Sequence, residues 1–294
     1  MADTLSKGTL FDPILVKDLV SKVKGKSSLA VLSAQTPIPF NGRKEFIFSM
    51  DSEIDVVAEN GKKSHGGMNL EPVTIVPIKF EYGARISDEF LYASEEEQLD
   101  ILKAFNDGFA KKVASGLDIA AMHGLNPRSG EASAVIGDNH FDAKVTQTVE
   151  YASATPDANI EEAIVLVEDS DGDVTGMVIA PAVRAALAAM TKQNGEKLYP
   201  DFAFGGQPKS LGAHVLDINK TVAVGNTDKA IIGDFANAFK WGYSKEIPLE
   251  IIKYGDPDNS GKDLKGHNQV YIRAEVYLGW GILDNKAFAR ITNA

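Results

Sequence analysis

Residues 94–123 carry a helical pattern that is long for the interior of a compact enzyme. Leu99, Leu102, Phe105, Phe109, Val113, Leu117 and Ala121 recur at three- and four-residue spacing, the period that lines apolar groups along one helix face. Ser94 and Glu97 form a capping box, and Glu95 and Glu96 suit the positive end of the helix dipole. Gly124 stops the pattern and Pro127 follows it. At 1.5 Å per residue, thirty residues make a rod of about 45 Å. Such a spine has to be wrapped by the rest of the chain, with Phe105 and Phe109 on the wrapped side and Lys111 and Lys112 facing outward.

The segments before the spine cannot bury their own apolar faces. Asp12 and Pro13 open a short helix whose face is Ile14, Val16, Leu19, Val20 and Val23, ending near Gly25. It is too short to persist in water and needs a surface to lie on. Residues 44–86 read as a two-stranded ribbon. Phe46, Phe48 and Met50 stand opposite Ile78, Phe80 and Tyr82, around a polar tip from Glu59 to Gly67 that includes Lys62 and Lys63. The alternation changes phase near Pro77, which predicts a bulge. An isolated ribbon is marginal in water, so its face must rest on something, another copy of the chain being one candidate.

Beyond the spine, helices and strands alternate. A helix is expected from about Asn159, a strand over 174–180, a helix over 181–195, and strands near 214–218 and 229–234. A closing pair follows at 247–254 and 268–280, with Val270, Ile272, Ala274, Val276 and Leu278 on one face and Tyr271, Arg273, Glu275 and Tyr277 on the other. The turn-rich loop 255–267 joins that pair.

Chemistry-bearing patterns fail one by one. Asp169–Asp173 is rich in carboxylates, but a calcium loop starting there needs Gly and Glu where Val174 and Ala180 stand, so a helix-to-strand turn is the better reading. Gly205-Gly206-Gln207-Pro208-Lys209-Ser210 has the wrong spacing for a phosphate cradle, and Pro208 removes an amide. His65, His123, His140, His214 and His267 form no close pair with metal-ligand spacing. With no cysteine in 294 residues, disulfides, thiolate metal sites and cysteine nucleophiles are excluded. No cofactor or metal is expected. A net charge of −11 argues against general nucleic-acid binding, and no apolar run approaches a membrane span. These features predict a soluble intracellular product of about two domains.

Several stretches, in their order, resemble tailed-phage major capsid proteins of the Hong Kong 97 fold. They are Ala84-Arg85-Ile86-Ser87-Asp88-Glu89-Phe90-Leu91 running into the spine; Met177-Val178-Ile179-Ala180-Pro181 with Arg184 and Asn194–Pro200; Ile231-Ile232-Gly233-Asp234-Phe235; and Asn268–Ala274. Gly212-Ala213-His214-Val215 departs from the Gly-x-Pro-Val turn of many relatives. The resemblance implies an α+β fold with an N-terminal arm (1–43), an extended ribbon loop (44–86), a peripheral domain (87–150 and 245–294) holding the spine, and a mixed axial domain (151–244). It implies a shell subunit that assembles with itself as hexamers and pentamers into an icosahedral head around DNA, formed in the bacterial cytoplasm. The expected partners are a separate scaffolding protein and a portal; the DNA is enclosed without sequence-specific contact. An encapsulin-like nanocompartment shell and an unrelated intracellular enzyme are the alternatives.

Contacts between subunits are expected at Phe46, Phe48, Lys62 and Lys63 on the ribbon, and at Asp256, Asp258, Lys262, Asp263 and Lys265 in the loop. Some members of the family weld their shells by an isopeptide bond, which here would join Lys63 to Asn268 with Glu275 as base. The same residues also read as a solvated tip, a strand start and a partner of Arg273.

Overall fold

The computed structural model describes residues 27–50, 54–63, 65–93, 95–226 and 228–293. The expected helix at 14–23 and the cap residue Ser94 lie outside them. From the N-terminal side, a short helix α1 (Ser28–Leu32) leads into strands β1 (Arg43–Met50), β2 (Met68–Ile75) and β3 (Ile78–Ser87). A 3₁₀ turn then enters the spine, α2 (Glu95–His123). After α3 (Phe141–Lys144) come β4 (Thr148–Glu150), α4 (Pro156–Glu168), β5 (Gly176–Ile179) and α5 (Pro181–Ala189). The chain closes with β6 (Ser210–Leu211), β7 (His214–Ile218), β8 (Asp228–Gly233), β9 (Phe239–Ile252), β10 (Gln269–Ile282) and β11 (Phe288–Thr292).

The spine's C-terminal half is buried as its periodicity requires. Phe109, Val113, Leu117 and Ala121 are all 3% exposed or less, inside a core that also takes in the inner faces of β5, β8, β10 and β11. Its N-terminal half rests on a smaller cluster of Phe90, Leu102, Val270 and Ile272. That cluster is short, so Phe105 is only half-buried and Leu99, expected on the buried stripe, is exposed.

Three sheets form. β1 and β2 make an antiparallel ribbon with Phe46 opposite Pro72, Phe48 opposite Leu70 and Met50 opposite Met68. The expected pairing of Phe46, Phe48 and Met50 with Ile78, Phe80 and Tyr82 is therefore not formed. The phase change at Pro77 is no bulge within a ribbon; it is where the chain leaves one sheet for another. β3 instead pairs along its length with β10, in the order β3-β10-β9. A strand ten residues long gains a full ladder and a helix to lie on by making that exchange, which a free ribbon cannot supply.

The third sheet is mixed, in the order β4-β11-β8-β5-β7-β6, with β4–β11 and β5–β7 parallel. β4 and β11, from the segments 87–150 and 245–294, pair into the sheet built by 176–233. The closing strands also start and end elsewhere than expected: β9 opens at Phe239, α5 stops at Ala189, and Asn268 precedes β10 as a left-handed residue with φ 53°. β10 is the central strand of its sheet, so Tyr271 and Glu275 are buried although they sit on the face read as polar.

Residues 33–38 cross the start of β9 as a strap. Thr36 N–H donates to the Trp241 carbonyl at 2.8 Å, Ile38 N–H to the Tyr243 carbonyl at 3.3 Å, and the Trp241 indole N–H to the Ser33 carbonyl at 3.0 Å. Gly242 makes this possible: a Cβ there would lie 1.7 Å from the Thr36 carbonyl oxygen.

Candidate functional site

Two surfaces and one buried junction carry the polar organisation of the subunit. The ribbon is the first surface. Phe46 is 60% exposed, Ile54 93%, Val56 96%, Met68 73% and Leu70 54%. Lys62 and Lys63 stand exposed on the tip, and the side chain of Phe48 lies outside the described residues. Within the subunit this hairpin therefore carries a run of uncovered apolar side chains.

The second surface is the loop 253–268, where the acidic residues are tied to Arg85 and to the loop's own backbone. The Arg85 guanidinium donates to Asp258 Oδ2 at 2.9 Å, Asp256 Oδ1 at 2.6 Å and Gln269 Oε1 at 3.1 Å. Asp256 also accepts from Ser260 N–H at 3.0 Å and Gly261 N–H at 2.7 Å. Asp263 accepts from Gly266 N–H at 2.9 Å and Gly255 N–H at 3.2 Å. Bonding to Arg85 holds the Asp258 carboxyl well below the usual carboxylate range, and the Gly266 amide holds Asp263 low. These three acids shape their own loop, and Asp258 and Asp263 are exposed there together with Lys262 and Lys265.

The three residues of the expected cross-link are not organised as a reactive site within the subunit. Lys63 is on the exposed tip and Asn268 is exposed at the foot of β10. Glu275 accepts from the Lys79 ammonium at 2.6 Å and lies 3.5 Å from Arg273 Nε.

The buried junction went unnoticed in the sequence because its members are dispersed. Asp118, on the apolar stripe of α2 beside Leu117, is fully buried. It accepts from Ser27 Oγ at 2.5 Å, Ser28 N–H at 3.0 Å, Leu29 N–H at 3.2 Å, Thr221 Oγ1 at 3.0 Å and Asn219 Nδ2 at 3.3 Å. Burial pushes its pKa up to about 6 against the pull of these donors. One turn on, His123 Nδ1 is 2.9 Å from Asp142 Oδ2 and Nε2 is 3.0 Å from the Thr221 carbonyl. Both partners present oxygens, an arrangement that favours the doubly protonated imidazolium. Burial opposes that charge, but the bond to Asp142 outweighs it and raises the pKa. Arg290 donates to both oxygens of Asp228 at 3.1 and 2.9 Å and lies 3.3 Å from Asp142 Oδ1. His123, Asp142 and Asp228 converge closely enough to suggest a metal site. Bonds within the protein already engage all three, however: His123 bonds Asp142 and the Thr221 carbonyl, and Arg290 bonds Asp228. The cluster is a buried ion network that ties α1, α2, α3, β8 and β11 together. A polar residue inside the buried stripe, Asp118, was its one visible signal.

Residues 8–293 match the phage capsid family. A structure from Mycobacterium phage Ogopogo is 32% identical, covers 92% of both chains and superposes with a TM-score of 0.77. One from Gordonia phage Cozz is 26% identical over 92% of this chain and 87% of its own, with a TM-score of 0.74. The capsid of an empty GTA particle shares the fold at 15% identity, covering 92% of this chain and 97% of its own, with a TM-score of 0.65. No curated protein matches significantly. The spine, the projecting ribbon and the mixed sheet define a shell-forming protein of the Hong Kong 97 fold. The chain belongs to the phage capsid family: it is a structural subunit of a virion shell, built by self-assembly.

Proposed function

We propose that copies of this subunit join as hexamers and pentamers in an icosahedral head around packaged DNA. The head is assembled in the host cytoplasm, with a separate scaffolding protein and a portal. The exposed ribbon carries this reading. Phe46, Ile54, Val56, Met68 and Leu70 gain a dry environment only when a neighbouring subunit covers them. The six-stranded sheet then faces the capsomer axis, while the loop bearing Lys262 and Lys265 meets adjacent capsomers. A chain of charge −11 supports enclosure without adhesion, since it offers the DNA few net counter-charges.

Deleting residues 55–70 tests the role of the ribbon. The truncated subunit should fold, because neither β3 nor the core depends on the tip, and closed shells should vanish from electron micrographs. Normal shells from the truncated chain would refute the reading.

A further inference from the structure

The loop 190–209 ends in a side chain that touches nothing. Phe204 is 108% exposed relative to a free residue, the most exposed large apolar group among the described residues. It adopts left-handed backbone angles, φ 52° and ψ 32°, a conformation that aromatic residues seldom enter. Its flanks are fixed on both sides. Phe202 is buried at 2%, stacks edge-on with Tyr199 at 6.3 Å, and its carbonyl accepts from Arg184 Nη1 at 2.9 Å. On the far side, Gly206 N–H donates to the Ala203 carbonyl at 2.9 Å, and Gly206 sits so close to Asp201 that a Cβ would lie 1.9 Å from its carbonyl oxygen. Phe204 is therefore an aromatic knob on a stiff stalk, held out of its own core at a cost in backbone strain.

The same region offers a hole. Between α4 and the β6–β7 turn runs a groove of about 350 Å³ with an apolar floor of Ile160, Ile164 and Met177. One wall is anionic, formed by Asp157, Glu161 and Glu168, and the opposite rim is Leu211–His214. α4 contains four carboxylates and no cation. The knob is flanked by exposed Lys197 and by Lys209, whose side chain is 78% exposed and whose ammonium lies 3.9 Å from Asp217. An apolar floor with an acidic wall therefore matches an aromatic ring accompanied by lysines, and the groove's volume suits one such ring.

We propose that Phe204 of one copy seats in the α4/β6–β7 groove of the next, with Lys197 and Lys209 meeting the acidic wall. Each subunit gives one knob and offers one groove, a head-to-tail contact that can close into a ring. The inference rests on the shell reading above and adds to it the residues that join neighbours within a capsomer.

The chain's lack of cysteine makes the test direct. Subunits carrying Ala203→Cys and subunits carrying Ala213→Cys are co-expressed, and the assembled particles are treated with a short bismaleimide. A cross-linked dimer is expected from the mixture and absent from either variant alone. Adding Phe204→Ser to both should abolish the dimer and lower the assembled fraction about tenfold or more, from the loss of one buried ring. Thermal unfolding of the unassembled Phe204→Ser subunit should match wild type, since the ring has no contact to lose. Particles that form normally but yield only monomers, or that cross-link equally well without Phe204, overturn the inference and leave the shell reading intact. An absence of particles or capsomers from the unaltered chain overturns both.

Discussion

Replacing Gly242 with alanine sets a methyl group 1.7 Å from the Thr36 carbonyl oxygen, and ordinary contact begins at 3.4 Å. Both partners are backbone, so no side chain can swing aside. The strap has to move by about 1.7 Å, which takes the bonds from Thr36 and Ile38 to β9 out of range. Losing two such bonds costs about 1–3 kcal/mol net. Ile38, 2% exposed, leaves part of its contact with β9 and adds roughly 1–2 kcal/mol. A total of about 2–5 kcal/mol should lower the unfolding midpoint by roughly 3–8 °C for a chain of this size. Calorimetry of the unassembled subunit measures the midpoint, and hydrogen exchange at residues 33–38 localises the change. A Gly242→Ala subunit that melts within about 1 °C of wild type, with unchanged exchange in the strap, would show that the arm does not depend on this crossing.

Phe109→Ala should cost about 3–5 kcal/mol, since its ring is 3% exposed; Gly108→Ala beside it, where a Cβ meets nothing within 4 Å, should instead stabilise by about 0.5–1 kcal/mol. Equal midpoints for the two variants would contradict the assigned helix face. His123 has a native pKa raised above its ordinary 6.5, so its contribution is complete below pH 6.5 and is lost as pH rises through the native value. The midpoint advantage of wild type over His123→Gln should therefore shrink on the alkaline side, and parallel midpoint curves from about pH 6 to 9 would refute the imidazolium. Because Glu275 is engaged by Lys79 and Arg273, boiled mature particles should run as a single monomer band; a ladder lost in Lys63→Ala would show that assembly frees that carboxylate.

The spine was legible because its apolar spacing runs over about eight turns, far longer than chance alternation. Its one misplaced residue, Leu99, reflects a limit of periodicity, which shows that a face is apolar but not how far the neighbouring structure extends beneath it. The run from Ile78 to Ile86 was recognised as a strand and assigned to the wrong sheet. Its neighbours in sequence supply the same alternation as its true partner, β10, which lies far along the chain. The polar junction was hidden for the same reason. Apart from Asp118 on the apolar stripe, its members His123, Asp142, Thr221, Asp228 and Arg290 are each ordinary in their local sequence and acquire meaning only when distant elements meet. In the loop 253–268, composition shows the charges, but only geometry shows that the acids bond Arg85 or the loop's own backbone. Phe204 carried no periodic signal at all, being one aromatic residue before two glycines.

Cryo-electron microscopy of the purified, assembled protein tests most directly whether the subunit completes its apolar contacts in a shell of its own copies. The expected density is a closed particle in which residues 54–70 of each subunit lie across a neighbour and Phe46, Met68 and Leu70 are covered. Discrete monomers, or shells in which the ribbon stands free in solvent, would contradict the account.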